Sequence, residues 1–208
     1  MTYGEVKRMA LRLIFSDTAA GQPIAESYND QADYLAAIPA LVDSAQTDIA
    51  VRARRIPALC PVDSLSEREE GGFRVLTLPA DCREPMHGGL LLPEGEEFGR
   101  CRDYRLAGGR LWLPKSAPAG LILEYWRYPV SVGASPEDTL ELDNTPDVHA
   151  AIPFFVAAQL VLYDDSYRYA VLRSEYESRV AALRESARVE EAAVGDVYGF
   201  DGFREVEL

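Results

Sequence analysis

The residues best suited to chemistry are few and scattered. The chain has two histidines, His87 and His149, and three cysteines, Cys60, Cys82 and Cys101. The cysteines lie 22 and 19 residues apart with no CxxC pair, whereas a structural zinc site is usually signalled by close ligand pairs. Adjacent acids occur at Asp164 and Asp165 and at Glu69 and Glu70, while Glu175 and Glu177 are too close in sequence to share a helical face. An acid/base pair needs unlike environments to separate its two pKa values, and adjacent carboxylates ordinarily just solvate a turn. His149 falls in the first turn of a predicted helix and reads as a hydrogen-bonded helix-start residue. His87, in "PMHGGLLLP", has a turn-like glycine context. Neither histidine accompanies a GxSxG nucleophile motif. "GGRLWLPK" lacks the GxxxxGK[ST] spacing of a phosphate loop, and no GxGxxG opens a helix. The aromatics of "LEYWRYPV" could stack on a sugar or a base, but alternation along a strand favours core packing. The sequence therefore predicts no catalytic residue, no cofactor and no metal site.

Composition narrows the field further. At 208 residues, 48% apolar and 26% charged, the chain has ordinary globular usage and enough length for one substantial core, or a core with a smaller inserted domain. The formal charge of −13 is unevenly placed: residues 1 to 60 carry 6 basic and 7 acidic groups, 61 to 130 carry 9 and 11, and 131 to 208 carry 6 and 16. A potential of that sign repels phosphate and anionic lipid, which argues against sequence-reading DNA binding and membrane-surface binding. The odd cysteine count, with no apolar leader in "MTYGEVKRMALRLIF", predicts a cytosolic product with free buried thiols. The apolar run 150 to 163 contains Pro153 and Gln159 and falls short of the roughly 20 residues that span a bilayer. It predicts a buried helix.

The elements that must position these residues come in three textures. "TYGEVKRMALRLI" predicts an amphipathic helix behind Thr2 as N-cap, with Glu5 completing a capping box. In "NDQADYLAAIPALVDSAQTDIAVRARRI", Leu35, Ile38, Leu41, Val42, Ala45 and Ile49 recur at helical spacing; Pro39 predicts a break or kink, with a second helix over about 40 to 55. From 57 to 130, short β-branched and aromatic runs separated by Gly and Pro predict an antiparallel β domain of four to six strands, with "AGGR" as a hairpin turn. Helical texture then returns. Thr145 as N-cap and Pro146 at the first position predict a helix over 146 to 163, kinked at Pro153, and Tyr169, Leu172, Tyr176, Val180, Leu183 and Ala187 form the stripe of a last helix over about 166 to 188. The end, "GDVYGFDGFREVEL", has no period.

The predicted fold is α+β: a four-helix bundle-like core made of 1–56 and 131–189, an inserted antiparallel β domain at 57–130, and an extended C-terminal arm at 190–208. The helix over 146 to 163, apolar on every side, is the expected centre of that bundle.

Several of these stretches resemble a known family. "MTYGEVKR", "YNDQADYLAAIPALVDSAQTDIA" and "LEYWRYPVSV…LELDNTPDVHAAIPFFVAAQLVLYDDSYRYAVLRSEYESRV" are similar to the head-to-tail adaptor (connector) proteins of tailed bacteriophages and prophages. The shared pattern is a strand ending in Tyr-x-Arg-Tyr-Pro, here Tyr125 to Pro129, then an acidic "LELD" spacer, an Ala- and aromatic-rich helix, an acidic break and a long amphipathic helix. It covers roughly 1 to 55 and 120 to 188. The resemblance implies a structural, non-enzymatic protein of the virion neck, made in the host cytoplasm. It implies a ring, commonly of twelve copies, that docks beneath the portal protein and receives tail or neck proteins while genomic DNA passes through without specific binding. Tyr198, Phe200, Phe203 and Leu208 of the arm are then the expected contacts to the portal or a neighbouring subunit. The alternative from a different class is a cytosolic small-molecule-binding or regulatory module whose β domain carries the pocket.

Overall fold

The computed structural model describes residues 1–15, 29–94, 97–133, 135–142 and 146–198. The chain divides into two compact units, residues 1–54 with 129–208 and residues 55–128. The first is helical and the second is all β, so the mixed α+β character of the sequence is present.

The helical unit contains α1 (Tyr3–Ile14), α2 (Asn29–Arg52), α3 (Pro146–Leu160) and α4 (Ser166–Tyr198). Helix α1 starts as its sequence requires: the Glu5 amide donates to Thr2 Oγ1 at 3.3 Å, and the Thr2 amide donates to Glu5 Oε2 at 2.8 Å. Two more first-turn amides, on Tyr3 and Gly4, donate to the carbonyls of Asp138 and Pro136, so the acidic spacer ahead of α3 folds back to cap α1. Helix α2 runs unbroken through Pro39, contrary to the predicted division near residue 40. Proline forfeits one ladder bond there, a cost of about 3 kcal/mol. Complete burial of Ile38, Val42, Ala45 and Ile49 on the same helix offsets it, at about 1.5–3 kcal/mol for each of the larger side chains. Helix α4 also continues past the predicted end to Tyr198, because "EEAA" after Val189 consists of good helix formers that extend an existing helix cheaply. The stretch 190–198, expected to belong to an extended arm, is therefore helical.

The expected four-helix-bundle core is not what the chain builds. Helices α1, α2 and α4 all pack on α3, with little contact among themselves. Their lengths of 12, 24, 15 and 33 residues do not match as bundle neighbours must. Val148, Ala151, Ile152, Val156 and Ala157 of α3 are completely buried, as are Val6 and Ala10 of α1 and Tyr176 of α4, whose ring meets that of Phe155 edge to face.

The second core is separate, and larger in strand number than predicted. Strands β1 (Ile56–Pro61), β2 (Glu67–Glu70), β3 (Phe73–Thr77), β4 (Cys82–Glu94), β5 (Glu97–Arg100), β6 (Arg105–Ala107), β7 (Arg110–Pro114) and β8 (Ile122–Arg127) form two four-stranded antiparallel sheets, ordered β1-β8-β4-β5 and β2-β3-β7-β6. Single-strand alternation could not reveal β2, whose four residues Glu67 to Glu70 are all charged and exposed. Leu90, Leu123 and Tyr125 from one sheet and Leu76, Leu111 and Leu113 from the other share one buried cluster, making a sandwich. Its first and last strands pair, Ile56 opposite Arg127, so the unit begins and ends side by side.

Two glycine positions shape the strand packing. Gly108 and Gly109, at φ +59° and +69°, make the predicted two-residue hairpin between β6 and β7, a conformation that side-chain-bearing residues resist. In β4, a Cβ on Gly89 would lie 2.7 Å from the Glu124 carbonyl, so only glycine lets β4 approach β8 there.

Because the sandwich core is closed from both sheets, Leu113→Ala is expected to lower the unfolding free energy by about 2–5 kcal/mol, read from the denaturant midpoint of the unit's tryptophan signal. An unchanged midpoint would show that the site collapses without a cavity.

Candidate assembly surfaces

The residues singled out for chemistry are kept apart. His87 lies on β4 of the sandwich and His149 on α3 of the helical unit. His149 is half-buried, with Nδ1 3.3 Å from the Met1 backbone nitrogen, at the edge of an open groove of about 490 Å³ lined by Glu5, Arg8, Met9 and Arg12. Cys60, Cys82 and Cys101 are free thiols, half-buried rather than fully buried as expected, and packed against the sandwich core. Burial, with Asp81 and Glu84 nearby, raises the Cys82 thiol above its ordinary pKa, the opposite of what an activated nucleophile needs. Among the described residues no three His, Cys, Asp or Glu side chains are placed to hold a metal ion. No described helix is long and apolar enough to cross a membrane.

The acidic residues serve structure. Asp165 is the N-cap of α4, accepting from the Arg168 amide at 2.9 Å, and Asp164 accepts from the Tyr34 hydroxyl. That bond, with burial and the nearby charge, pushes the Tyr34 pKa up to about 12. Glu69 pairs with Lys115 at 2.6 Å and Glu70 with Arg68 at 2.5 Å, both on the sandwich surface.

A network missed by sequence reasoning ties α2 to α4. Tyr176, completely buried, donates to Asp48 Oδ2 at 2.6 Å. Arg52 joins Asp48 at 2.9 Å and also bonds Glu177, which Arg173 reaches at 2.5 Å. Burial first, then the Asp48 hydrogen bond, drives the Tyr176 pKa far above that of a free phenol. Arg173 also lies over the rings of Phe155 and Tyr176, and Arg179 lies 4.4 Å from the ring centre of Phe154. Asp48 and Tyr176 lie 128 positions apart, so only a fold could bring them together.

What remains unoccupied is apolar surface. On the corner between α3 and α4, Tyr163 is 93% exposed and Tyr167 80% exposed, and Val171 continues the row one turn along α4. Beside it a groove of about 580 Å³ is lined by Phe154, Ala170, Val171, Leu172, Ser174 and Glu175. The sandwich exposes Leu59, Phe73 and Phe98. Of the contacts expected in the arm, Tyr198 is the last residue of α4, and Phe200, Phe203 and Leu208 lie outside the described residues. The exposure of Tyr163 and Tyr167 had a sequence signal in "YDDSY", where aromatics flank two acids at a helix start.

Comparison with known proteins finds no family model that matches the chain. No curated protein matches it either.

The Arg52 pair holds the Glu177 pKa below its ordinary value. Glu177 therefore contributes stability above the unfolded-state carboxylate pKa and loses it as pH falls through the lower folded value. At 38% exposure the pair is worth at most about 1 kcal/mol. Glu177→Gln should lower the melting temperature by roughly 2–4 °C at neutral pH, and the two melting curves should converge once the pH has fallen through the lowered folded-state value.

Proposed function

We propose that this chain is a structural subunit of the neck of a tailed bacteriophage or prophage, a head-to-tail adaptor that assembles as a ring between portal and tail. The observation that carries this reading is the surplus aromatic surface at the α3–α4 corner. Side chains such as Tyr163 and Tyr167 are stable in a free subunit but gain by burial against a neighbour. The resemblance of residues 1 to 55 and 120 to 188 to adaptor proteins supplies the partner class.

Charge fits the same role. The helical unit carries 11 basic and 23 acidic side chains, and the sandwich 10 and 11. A wall of that sign discourages the multiple phosphate contacts that would hold passing DNA. In this reading the chain performs no catalysis and needs no cofactor or metal. It is made in the host cytoplasm and becomes part of the virion, commonly as twelve copies. Tyr198, Phe200, Phe203 and Leu208 reach the portal or a neighbouring adaptor.

A charge of −13 on every copy opposes self-association until salt or a template offsets it. Light scattering coupled to size exclusion should therefore find a monomer at low concentration and low salt. Ring-sized mass should appear when salt is raised or the portal protein of the same genome is added. A small oligomer indifferent to both would refute the assignment. Removing residues 199–208 should leave the melting temperature unchanged while weakening portal attachment at least tenfold in a pull-down titration. Undiminished attachment would remove the arm from the interface.

A further inference from the structure

The outer face of the sheet β2-β3-β7-β6 is unusual for an acidic protein. Strand alternation turns Leu76, Leu111 and Leu113 into the sandwich and leaves Phe73, Val75, Arg110 and Trp112 on the other side. Phe73, 45% exposed, meets Trp112 edge to face at 6.3 Å between ring centres, and Val75 is 2% exposed on the same face. Around this apolar centre the cations are unequal. Arg68 has Glu70 at 2.5 Å, but among the described residues Arg105 and Arg110 have no carboxylate partner. The face thus offers two aromatic rings and two uncompensated guanidinium groups.

The helical unit carries the opposite chemistry in one short segment. Tyr163 and Tyr167 stand out from the α3–α4 corner, with Asp164 and Asp165 between them. Both carboxylates are fixed in place, Asp164 by the Tyr34 hydroxyl and Asp165 by the Arg168 amide with the Arg168 guanidinium at 3.7 Å, so little ordering entropy opposes a further contact. Tyrosines and arginines are the side chains that most often anchor protein interfaces.

We propose that the outer face of β2-β3-β7-β6 receives the α3–α4 corner of a second copy of this chain. Arg105 and Arg110 meet the carboxylates of Asp164 and Asp165, and Tyr163 and Tyr167 lie against Phe73 and Trp112. Charge complementarity selects this occupant: the acid excess lies in the helical unit, and Arg105 and Arg110, without a carboxylate partner among the described residues, lie on the sandwich of the same chain. The contact uses two different surfaces, so each copy can give one and receive one, and such contacts repeat head to tail until the ring closes. Added salt screens the long-range repulsion between copies more than it weakens charges in direct contact. This inference rests on the ring-forming role proposed above and names the contact between neighbouring subunits.

Two variants of the full chain test it, Arg105→Glu with Arg110→Glu, and Tyr163→Ala with Tyr167→Ala. Circular dichroism checks that each is folded. Under the salt or portal conditions that assemble the unaltered chain, each variant alone should sediment as a monomer, its self-association weakened at least tenfold. Mixed in equal amounts, they retain one intact contact between them and should stop at a heterodimer. Assembly of either variant as efficient as that of the unaltered chain overturns the inference while leaving ring formation standing. So does a mixture that rebuilds full-size assemblies or yields no heterodimer. If the unaltered chain stays monomeric in high salt and with portal, the ring-forming role and this contact both fall.

Discussion

Burial of α3 is the constraint on which the helical unit depends. A helix with apolar side chains around its whole circumference cannot rest on one neighbour, since any uncovered side would expose Val148, Ile152 or Val156 to water. Three helices of different lengths cover it from different directions. The requirement reaches far along the chain: the spacer before α3 must fold back to cap α1, and Tyr176 must bring its hydroxyl to Asp48 because its ring is needed in the core. A buried phenol without that acceptor would cost about 1–3 kcal/mol.

The sandwich answers a different constraint. Its sheets bury one face each against the other; on the outer face of β2-β3-β7-β6, Phe73 is exposed while Val75 is covered. This divides the side chains of every strand into two populations with separate duties. Leu111 and Leu113 hold the unit together, while Trp112 between them lies on the outer face. The Gly108–Gly109 hairpin fixes which residues of β6 and β7 fall on which side, because a slip of one position would exchange the two faces.

The surfaces left over by these two solutions have opposite character. In the helical unit, residues that end one helix and begin the next concentrate acid and tyrosine at a corner. In the sandwich, the hairpin strand β7 and its neighbours place aromatics and arginines on a sheet face. Tyr163 and Tyr167 at the corner are exposed, and Phe73 on the sheet face lies outside the buried cluster shared by the two sheets. Protein surfaces that keep large aromatics without internal need are characteristic of assembly.

Local rules were legible in the sequence. The Thr2–Glu5 capping box, the start of α3 at Pro146, the stripe on α4 and the "AGGR" hairpin all follow from backbone dihedral preferences and hydrogen bonding within a few residues. So did the mixed α+β class and the buried nature of α3, which follow from the order and periodicity of apolar residues. Tertiary structure decided the rest. Pro39 stays inside a helix because distant side chains bury its neighbours, and Glu67 to Glu70 form a strand only because β3 offers a hydrogen-bonding edge. The α3-centred packing in place of a bundle, and the Tyr176, Asp48, Arg52 and Glu177 network, join residues more than a hundred positions apart. Spacing along a chain cannot encode which of two strand faces is covered or which charges find partners, because those depend on what else the fold brings within about 4 Å.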